Sequence, residues 1–252
     1  MANTKTIAIE CLRYNPQTDT EPAFQTYQVP FSDEMSVLQG LQYIKDHLDG
    51  SLTFRWSCRM AICGSCGSMI NGVPQLSCHT FLRNYYPHTV RVEPLNHFPI
   101  VRDLVIDQSD FLNKLASVKA YLIPQADDAE RTPDQGTYLQ TPQQIDDYYQ
   151  YAGCINCLLC YAACPQYGLN KAFTGPAALA LLHRYNADSR DAGTAERMEV
   201  INGEDGVWGC TLVGYCSEVC PKGVDPARAI NQNKINSTKD YLLRFLSPRG
   251  GK

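Results

Sequence analysis

The cysteines of this sequence are the residues whose type and spacing could do chemistry. Twelve cysteines occur among 252 residues, and such cysteines can form disulfides, bind zinc or hold iron-sulfur clusters. Eleven of the twelve fall into three groups with short, regular spacing. Cys11 stands apart in a strand-like stretch, and we interpret it as a packing residue because a free cysteine behaves as a small hydrophobic side chain.

The first group has the spacing C-x4-C-x2-C, with a fourth cysteine twelve positions later. This spacing is typical of a plant-type 2Fe-2S cluster. Gly64 and Gly67 allow the loop to curl tightly and direct amide N–H groups at the sulfurs. Asn71-Gly72 predicts a tight hairpin that returns the last cysteine to the loop. A zinc site or simply buried thiols are the alternatives, which the x4 gap disfavours. The predicted ligands are Cys58, Cys63, Cys66 and Cys78.

The second and third groups share one spacing pattern, which we call their frame. Residues 154–165 have the spacing C-x2-C-x2-C-x3-C-P, and residues 210–221 keep this frame except that Val213 replaces the second cysteine. In paired runs of this kind the fourth cysteine of one run binds the cluster of the other. This crossing rule predicts a 4Fe-4S cluster on Cys154, Cys157, Cys160 and Cys220. It predicts a 3Fe-4S cluster on Cys164, Cys210 and Cys216.

Val213 leaves one corner of the second cluster without a thiolate. An iron without a ligand is easily lost, which is why we predict three irons there. Removal of one anionic ligand also eases the addition of an electron, because net charge is one of the factors that set cluster potential. The incomplete cluster should therefore be the better electron acceptor of the two. The alternative is that a water or hydroxide completes a fourth iron.

The expected cellular compartment argues against disulfides, and the spacing of the cysteines argues against zinc. The N-terminal residues lead into a strand-like run without the apolar segment of a signal peptide, so we expect a reducing cytosol in which disulfides are disfavoured. Structural zinc sites favour paired C-x2-C knuckles, whereas residues 154–165 carry a triplet followed by a fourth cysteine and a proline. No apolar stretch approaches the ~20 residues that cross a bilayer.

The charge of the chain is unevenly distributed. The formal net charge of −4 argues against general nucleic-acid binding, and we expect no nucleic-acid partner. Residues 221–252 contain seven basic and two acidic side chains, a balance of +5 that leaves −9 for the remainder. This basic end could face anionic lipid headgroups or an anionic partner, or it could form an ordinary solvated helix face.

Periodicity predicts sheet and helix in the first part of the chain and mainly helix in the second. Alternating apolar residues predict a strand over 6–13, with a return strand over 24–29. Ser36 is a predicted N-cap of a helix that ends at Gly50, and a last strand follows near residue 90. A short helix is expected within 104–122, before a polar, proline-bearing connector. Further helices are predicted over 176–183 and 225–241.

Other residues give weaker signals. The five histidines have no metal-ligand spacing, and no dinucleotide, P-loop or nucleophile-elbow motif is present. These histidines are His47, His79, His88, His97 and His183. The chain therefore has no predicted substrate-binding fold of its own, and three centres of different types indicate electron transfer.

Five motifs together resemble a known family, the iron-sulfur subunits of succinate dehydrogenase and fumarate reductase. The resemblance extends over nearly the whole chain and is closer to the menaquinol-linked fumarate reductases of enteric-type bacteria. The motifs are Arg13-Tyr14-Asn15-Pro16, residues 55–67, Gly153-Cys154-Ile155-Asn156-Cys157, Asp188-Ser189-Arg190-Asp191 and residues 207–222.

The resemblance implies an α+β protein with an N-terminal β-grasp plant-type ferredoxin domain and an all-α bacterial-ferredoxin-like domain. The implied boundaries are 1–105 for the 2Fe-2S domain, 106–145 for the connector and 146–252 for the helical domain. Electrons would pass from menaquinol through the 3Fe-4S, 4Fe-4S and 2Fe-2S clusters to FAD in a separate flavoprotein subunit. Two membrane anchor subunits would hold the chain as a peripheral protein at the cytoplasmic face of the bacterial inner membrane.

The same resemblance implies a quinone site beside the 3Fe-4S cluster. Lys234 could donate a hydrogen bond to a quinone carbonyl, or it could be a lysine on a solvated helix. Thr211 departs from the succinate dehydrogenase branch, where a histidine commonly follows the corresponding cysteine, and this favours fumarate reduction. The residues that match by position are Pro165, Gln166, Trp208, Thr211 and Lys234.

Three alternatives remain open from the sequence. The same subunit could serve a succinate dehydrogenase that runs in the opposite direction. A zinc-stabilised interaction scaffold would be colourless and redox-silent. A free-standing multi-cluster ferredoxin is disfavoured by the acidic connector and the basic C-terminal helix.

Overall fold

A computed structural model describes residues 5–125, 136 and 138–246. The chain divides into two compact units. The first contains residues up to Gln108 together with Ile155–Ala163, and the second contains the remainder. The predicted domain boundaries at 105 and 145 stay predictions, and the contacts group residues 155–163 with the first unit.

The strands are all in the first unit among the described residues. The strand bounds are β1 Thr6–Arg13, β2 Ala23–Pro30, β3 Gly67–Ile70, β4 Val73–Leu76, β5 Val90–Glu93, β6 Ile100–Arg102 and β7 Val105–Ile106. Five of these strands form one mixed sheet in the order β2-β1-β5-β3-β4, in which only the β1–β5 pairing is parallel. A separate two-stranded sheet pairs β6 with β7.

The helices that the structure describes are short except near the C-terminus. Two 3₁₀ turns, Leu82–Asn84 and Val207–Gly209, and one π-helical turn, Ile44–Leu48, accompany them. The α-helix bounds are α1 Val37–Tyr43, α2 Ser109–Ser117, α3 Pro142–Ala152, α4 Leu159–Ala162, α5 Pro165–Leu169, α6 Pro176–Asn186, α7 Thr194–Asn202, α8 Tyr215–Glu218 and α9 Pro226–Leu246.

The core of the first unit lies between its sheet and α1. The predicted alternation on β1 is confirmed, because Ile7, Ile9 and Cys11 are buried on one face. Ser36 caps α1 as predicted, in a capping box with Gln39. The helix then continues as the π-helical turn, which ends at Leu48 with Asp49 as its C-cap. The burial of Cys11 agrees with its interpretation as a packing residue.

Helix α4 packs within the first unit, against β4. Tyr161 of this helix is fully buried, and its ring lies 6.2 Å from that of Phe98. These contacts explain why residues 155–163 group with the sheet rather than with the helices that flank them in sequence.

The second unit is built from helices. The predicted helices over 176–183 and 225–241 are confirmed as α6 and α9, which pack against each other through residues such as Leu179 and Asn233. Proline stands in the first turn of α3 and α6, where its missing N–H costs nothing. No helix of the described residues is both long and apolar enough to cross a membrane.

A buried ion pair fixes the chain where it enters the predicted connector. The guanidinium of Arg197 on α7 contacts both carboxylate oxygens of Asp191, at 2.7 and 2.9 Å, and donates to the carbonyl oxygens of Lys119 and Tyr121. Asp191 also accepts the N–H of Ile123. Much of the predicted exposed connector, residues 126–135 and 137, lies outside the described residues.

The sheet of the first unit and the helices of the second support the predicted α+β fold class. The names β-grasp and bacterial-ferredoxin-like stay predictions.

Candidate iron-sulfur and quinone sites

The loop of residues 58–63 surrounds its own sulfurs with backbone N–H groups. Met60, Ile62 and Cys63 direct their N–H groups at the Sγ of Cys58, at 3.3 to 3.4 Å. The N–H of Ala61 points at the Sγ of Cys78, at 3.3 Å. Donors of this kind favour extra negative charge on the sulfurs, so they would stabilise a bound cluster in its reduced state.

Left-handed backbone conformations make this curl possible. Arg59 and Ala61 adopt φ values of 61° and 58°, and Gly64 adopts 74°. Glycine reaches this region without the steric cost that other residues carry. The expectation that the loop curls and points its amides inward is therefore met, although two non-glycine residues carry much of the curl.

The predicted hairpin returns the fourth cysteine of this group to the loop. Strands β3 and β4 are joined by Asn71 and Gly72, with φ values of 47° and 80°, as a two-residue turn of this type requires. The N–H of Ser77 then bonds to the carbonyl oxygen of Cys66, at 3.0 Å. Cys78 follows directly, beside the loop.

The environments of these thiols differ. The N–H of Cys58, together with donors from Ser65, lowers the pKa of the Cys63 thiol to about 6. Burial, together with the neighbouring thiols of Cys78 and Cys63, raises the pKa of the Cys66 thiol to about 12, although the N–H of Cys78 acts in the opposite direction. Four mutually interacting thiols on one loop and hairpin, with N–H donors directed at them, fit a 2Fe-2S cluster.

Asp103 anchors the segment that leads into this loop. Its carboxylate is almost fully buried and accepts hydrogen bonds from the Nε of Arg13, the N–H of Tyr14 and the N–H of Thr53, at 3.1, 2.9 and 2.8 Å. Arg13 also contacts Asp49. In the sequence, Arg13 stands out only as part of a family motif. Asp103 does not stand out at all, because a single aspartate between short strands carries no local signal.

Three cysteines of the predicted 3Fe-4S site interact with one another in the second unit. Burial, together with the neighbouring Cys164 and Cys210, raises the pKa of the Cys216 thiol to about 11, although hydrogen bonds with Ser217 act in the opposite direction. Burial also raises the pKa of Cys164, whereas the N–H groups of residues 166 and 167 lower it by a smaller amount. The N–H of Leu212 points at the Sγ of Cys210, at 3.3 Å. Three thiols with N–H donors fit a three-iron cluster.

Val213, the residue at the predicted vacant corner, is 48% exposed. It follows Leu212, which adopts a left-handed φ of 58°, and precedes Gly214 with φ of 92°. This turn offers an aliphatic side chain where the other run of cysteines offers a thiol.

The predicted 4Fe-4S ligands fall into two pairs. Cys154 and Cys220 pack against one apolar cluster of the second unit, which contains Tyr151 and Val224. Cys157 and Cys160 belong to the first unit, where Cys160 is buried on α4. The assignment of all four to one cluster stays a prediction from their spacing.

The predicted quinone-site residues are largely linked by hydrogen bonds. Lys234 donates to the carbonyl oxygen of Cys210 at 2.7 Å, and its Nζ lies 5.6 Å from the ring centre of Trp208. Gln166 donates to the hydroxyl oxygen of Thr211, at 3.3 Å. Pro165 begins α5 directly after Cys164. The structure therefore groups these residues around the cysteines of the predicted 3Fe-4S site.

Ser237 also belongs to this site, although none of the sequence motifs predicted it. Its buried hydroxyl accepts the indole N–H of Trp208, at 3.0 Å, and donates to the side-chain oxygen of Asn202, at 2.7 Å. These bonds fix the orientation of the half-exposed Trp208 ring. The helical spacing of Ser237 from Asn233 and Ile230 could have placed it on the buried face of α9.

No three His, Cys, Asp or Glu side chains are arranged to bind a single metal ion in the part of the chain that the structure describes. A cluster differs from a single ion because inorganic sulfides separate its irons, so the thiolates do not converge on one atom. Burial lowers the pKa of His183 on α6.

Comparison with protein families matches two models to separate parts of the chain. Residues 8–113 match the model described as a 2Fe-2S iron-sulfur cluster binding domain. Residues 146–221 match the model described as a 4Fe-4S dicluster domain. The two matches contain the three predicted groups of cysteines.

Known proteins resemble the chain over nearly its whole length. The fumarate reductase iron-sulfur subunit of Haemophilus influenzae is 55% identical, over 99% of this chain and 100% of the relative. That of Escherichia coli O157:H7 is 57% identical over the same shares. The succinate dehydrogenase iron-sulfur subunit of Paracoccus denitrificans is 36% identical, over 86% of this chain and 83% of the relative.

A solved structure of the Mycobacterium smegmatis Sdh1 complex in the apo form also matches. Its TM-score is 0.81 at 26% identity, and the match covers 94% of this chain and 97% of that one. The grouped thiols and the two domain matches define an iron-sulfur protein with a 2Fe-2S domain and a 4Fe-4S dicluster domain. The identities go further: the chain belongs to the family of iron-sulfur subunits of fumarate reductase and succinate dehydrogenase. It is an electron-transfer component of an oxidoreductase complex, and the resemblance noted from its motifs is confirmed.

Proposed function

We propose that this chain relays electrons from menaquinol to FAD on a flavoprotein subunit that reduces fumarate to succinate. The observation that carries the proposal is the pair of N–H-lined thiol groups in one chain, Cys58 to Cys78 and Cys164 to Cys216, together with the family membership. The fumarate reductase subunits, at 54 to 57% identity, resemble the chain more than the succinate dehydrogenase subunits at 36 to 38%.

The cysteines would hold three clusters. Cys58, Cys63, Cys66 and Cys78 would bind 2Fe-2S; Cys154, Cys157, Cys160 and Cys220 would bind 4Fe-4S; Cys164, Cys210 and Cys216 would bind 3Fe-4S. When bound, these clusters supply one-electron redox chemistry between quinol and flavin. The N–H groups directed at Cys58, Cys78 and Cys210 would stabilise added negative charge.

Lys234 would bind the quinone. An ammonium group has three N–H donors, and the carbonyl oxygen of Cys210 accepts one of them. The other donors remain directed away from that carbonyl and could reach a quinone oxygen. Trp208, held by Ser237, would form an apolar wall beside the ring, with Thr211 and Gln166 at the edge.

An exposed apolar surface supports the proposed membrane partners. The last turns of α9 expose Tyr241, Leu242, Leu243, Phe245 and Leu246. Contiguous exposed apolar residues mark sites of interaction with proteins or membranes. We therefore place two membrane anchor subunits on this side of the second unit, with the chain peripheral at the cytoplasmic face of the inner membrane. Arg249 and Lys252 of the basic end lie outside the described residues.

A potentiometric electron paramagnetic resonance (EPR) titration of the complex in its native membrane tests the proposal. We expect one signal in the oxidised state from 3Fe-4S and two signals in the reduced state from 2Fe-2S and 4Fe-4S. The 3Fe-4S centre should have a higher potential than the 4Fe-4S centre. Zinc without iron signals would overturn the proposal and leave the structural scaffold.

The direction of catalysis needs a separate measurement. The same membranes should reduce fumarate with menaquinol faster than they oxidise succinate with a quinone acceptor. The opposite ratio would assign the subunit to a succinate dehydrogenase.

A further inference from the structure

Two glycines of the 2Fe-2S loop lie in direct contact with the segment that carries Cys157. Both partners belong to the first unit. A Cβ atom placed on Gly64 would lie 2.9 Å from the Cβ of Cys157 and 2.9 Å from the carbonyl oxygen of Ile155. A Cβ on Gly67 would lie 3.1 Å from the carbonyl oxygen of Cys157 and 3.2 Å from the Cδ2 of Leu159. The loop and the segment are therefore packed with no room for a side chain between them.

Close approach is not a general property of the turn glycines in this chain. Gly72 has a left-handed φ of 80°, almost the same as the 74° of Gly64, but a Cβ on Gly72 would meet no atom within 4 Å. Backbone conformation explains glycine at position 72. It does not explain glycine at position 67, whose φ lies outside the left-handed region and whose neighbours come from residues 95, 157 and 159.

The two glycines stand between proposed ligands of different clusters. Gly64 directly follows Cys63, and Gly67 directly follows Cys66, both in the proposed 2Fe-2S site. Cys157, on the other side of the contact, is a proposed 4Fe-4S ligand. The rate at which an electron crosses protein falls steeply with the distance between donor and acceptor, so the packing at this contact determines how fast the electron passes.

We propose that Gly64 and Gly67 are positioning residues that hold the 2Fe-2S loop against the Cys157 segment and so set the separation of the two clusters. This inference rests on the proposed function. In this step a single electron would pass from the 4Fe-4S centre, which would be oxidised by one electron, to the 2Fe-2S centre, which would be reduced by one electron. No bond forms or breaks, and no proton moves.

The two positions differ in how much a methyl group would disturb. In Gly64→Ala the nearest atoms include backbone at 2.9 Å, so the loop or the segment must move, and the left-handed φ adds strain. In Gly67→Ala the contacts of 3.1 to 3.3 Å require a smaller displacement and no change of backbone region. We therefore expect Gly64→Ala to separate the clusters more than Gly67→Ala does, and Gly72→Ala not to separate them.

The test measures magnetic coupling rather than activity alone. In the complete complex in its native membrane, the spin relaxation of the reduced 2Fe-2S centre is measured by EPR power saturation, with the 4Fe-4S centre first oxidised and then reduced. A nearby paramagnetic cluster accelerates this relaxation, and the acceleration falls with distance. We expect this acceleration of the relaxation to be largest in the wild type and in Gly72→Ala, smaller in Gly67→Ala and smallest in Gly64→Ala. All variants should retain the three cluster signals.

The outcomes separate this inference from the proposed function. If wild-type membranes lack the 2Fe-2S and 4Fe-4S signals, the proposed function fails. If those signals are present and Gly67→Ala relaxes like the wild type and Gly72→Ala, the positioning role is wrong while the proposed function stands. Should Gly64→Ala fail to assemble, Gly67→Ala carries the test, because its backbone is unstrained. As a second check on Gly67→Ala, Leu159→Ala in the same chain should restore part of the coupling by removing one of the atoms that the new methyl group meets.

Discussion

The ammonium group of Lys234 donates a hydrogen bond of 2.7 Å to the carbonyl oxygen of Cys210. This bond ties the middle of α9 to a cysteine of the proposed 3Fe-4S site. It also holds a positive charge beside the exposed ring of Trp208. Lys234 is therefore fixed at the site rather than free on a solvated helix face, which favours the quinone-binding interpretation over its alternative.

Replacement of Lys234 by glutamine should slow electron transfer from quinol. The variant keeps an N–H donor, on a side chain one bond shorter, but removes the charge, and a hydrogen bond to a charged group contributes about 1.5–3 kcal/mol. We expect quinol-linked fumarate reduction to fall by roughly tenfold or more, since about 1.4 kcal/mol corresponds to a factor of ten. Fumarate reduction with an artificial dye donor should change little, because the dye bypasses the quinone.

Lys239 provides the matched control for Lys234. It lies five residues further along the same helix and is exposed. Lys239→Gln should retain quinol-linked activity. Equal losses in the two variants, or a loss of dye-linked activity in Lys234→Gln, would show that the charge acts on assembly instead of on the quinone.

Cysteine in place of Val213 should complete the fourth corner of the 3Fe-4S cluster. A fourth thiolate would retain the fourth iron, and its negative charge would lower the potential. An EPR titration should show the oxidised-state 3Fe-4S signal replaced by a reduced-state signal at lower potential. Leu212→Cys introduces the same thiol one position earlier and should leave the 3Fe-4S signal in place. An unchanged signal in Val213→Cys would contradict the ligand frame of residues 210–221.

Features encoded within a few neighbouring residues could be predicted from the sequence, whereas tertiary contacts could not. The spacing of the cysteines, the Asn71-Gly72 turn and the Ser36 cap are each encoded within a few residues, and the structure shows the turn and the cap as predicted. Asp103 gave no such signal, because its partners Arg13 and Thr53 lie far from it in sequence. Even residues singled out by the sequence can have a second role that only packing shows.

Gly64 and Gly67 illustrate this second role. Their presence in the cysteine loop indicated a tight curl, and the φ of Gly64 agrees. The sequence could not reveal that residues 155–159 pack on the same glycines, since nearly ninety positions separate the two segments. Helix α4 likewise groups with the sheet through contacts between segments that are far apart in sequence.

Loss of Arg197 should destabilise the second unit. The side chains of Arg197 and Asp191 are both 0% exposed, and Arg197→Leu would leave the carboxylate of Asp191 buried without its cation. Removing one partner of a buried pair costs about 3–5 kcal/mol. Urea unfolding of the cluster-loaded protein, followed by circular dichroism, should show this decrease in the free energy of unfolding.

An exposed ion pair on the same helix is the control for Arg197. Glu196 pairs with Lys119 at the surface, and screened pairs of this kind contribute little. Lys119→Gln should therefore unfold at nearly the same urea concentration as the wild type. If Arg197→Leu behaved like Lys119→Gln, the buried pair would not be a major source of stability in this unit.

His183 should make the stability of the second unit depend on pH. Burial lowers its pKa, and the positive charge of Arg228 acts in the same direction, while the hydrogen bond with Asn233 opposes them. The unfolded chain, with a histidine pKa of about 6.5, therefore binds a proton more readily than the folded chain. Stability should fall as the pH drops from about 6.5 towards the folded pKa, and this contribution should be absent at higher pH.

A series of urea unfolding measurements between about pH 7.5 and pH 5, a range that brackets the ordinary histidine pKa, tests this dependence. In His183→Phe the aromatic contact with Tyr151, 4.8 Å between ring centres in the wild type, can be kept while the titrating group is removed. We expect the variant to lose the decrease in stability below pH 6.5, although its stability at neutral pH should also be lower because the buried Asn233 loses a partner. His88→Phe replaces an exposed histidine and should preserve the wild-type decrease. A decrease of wild-type size in His183→Phe would show that another group in the protein, such as a carboxylate, binds the proton.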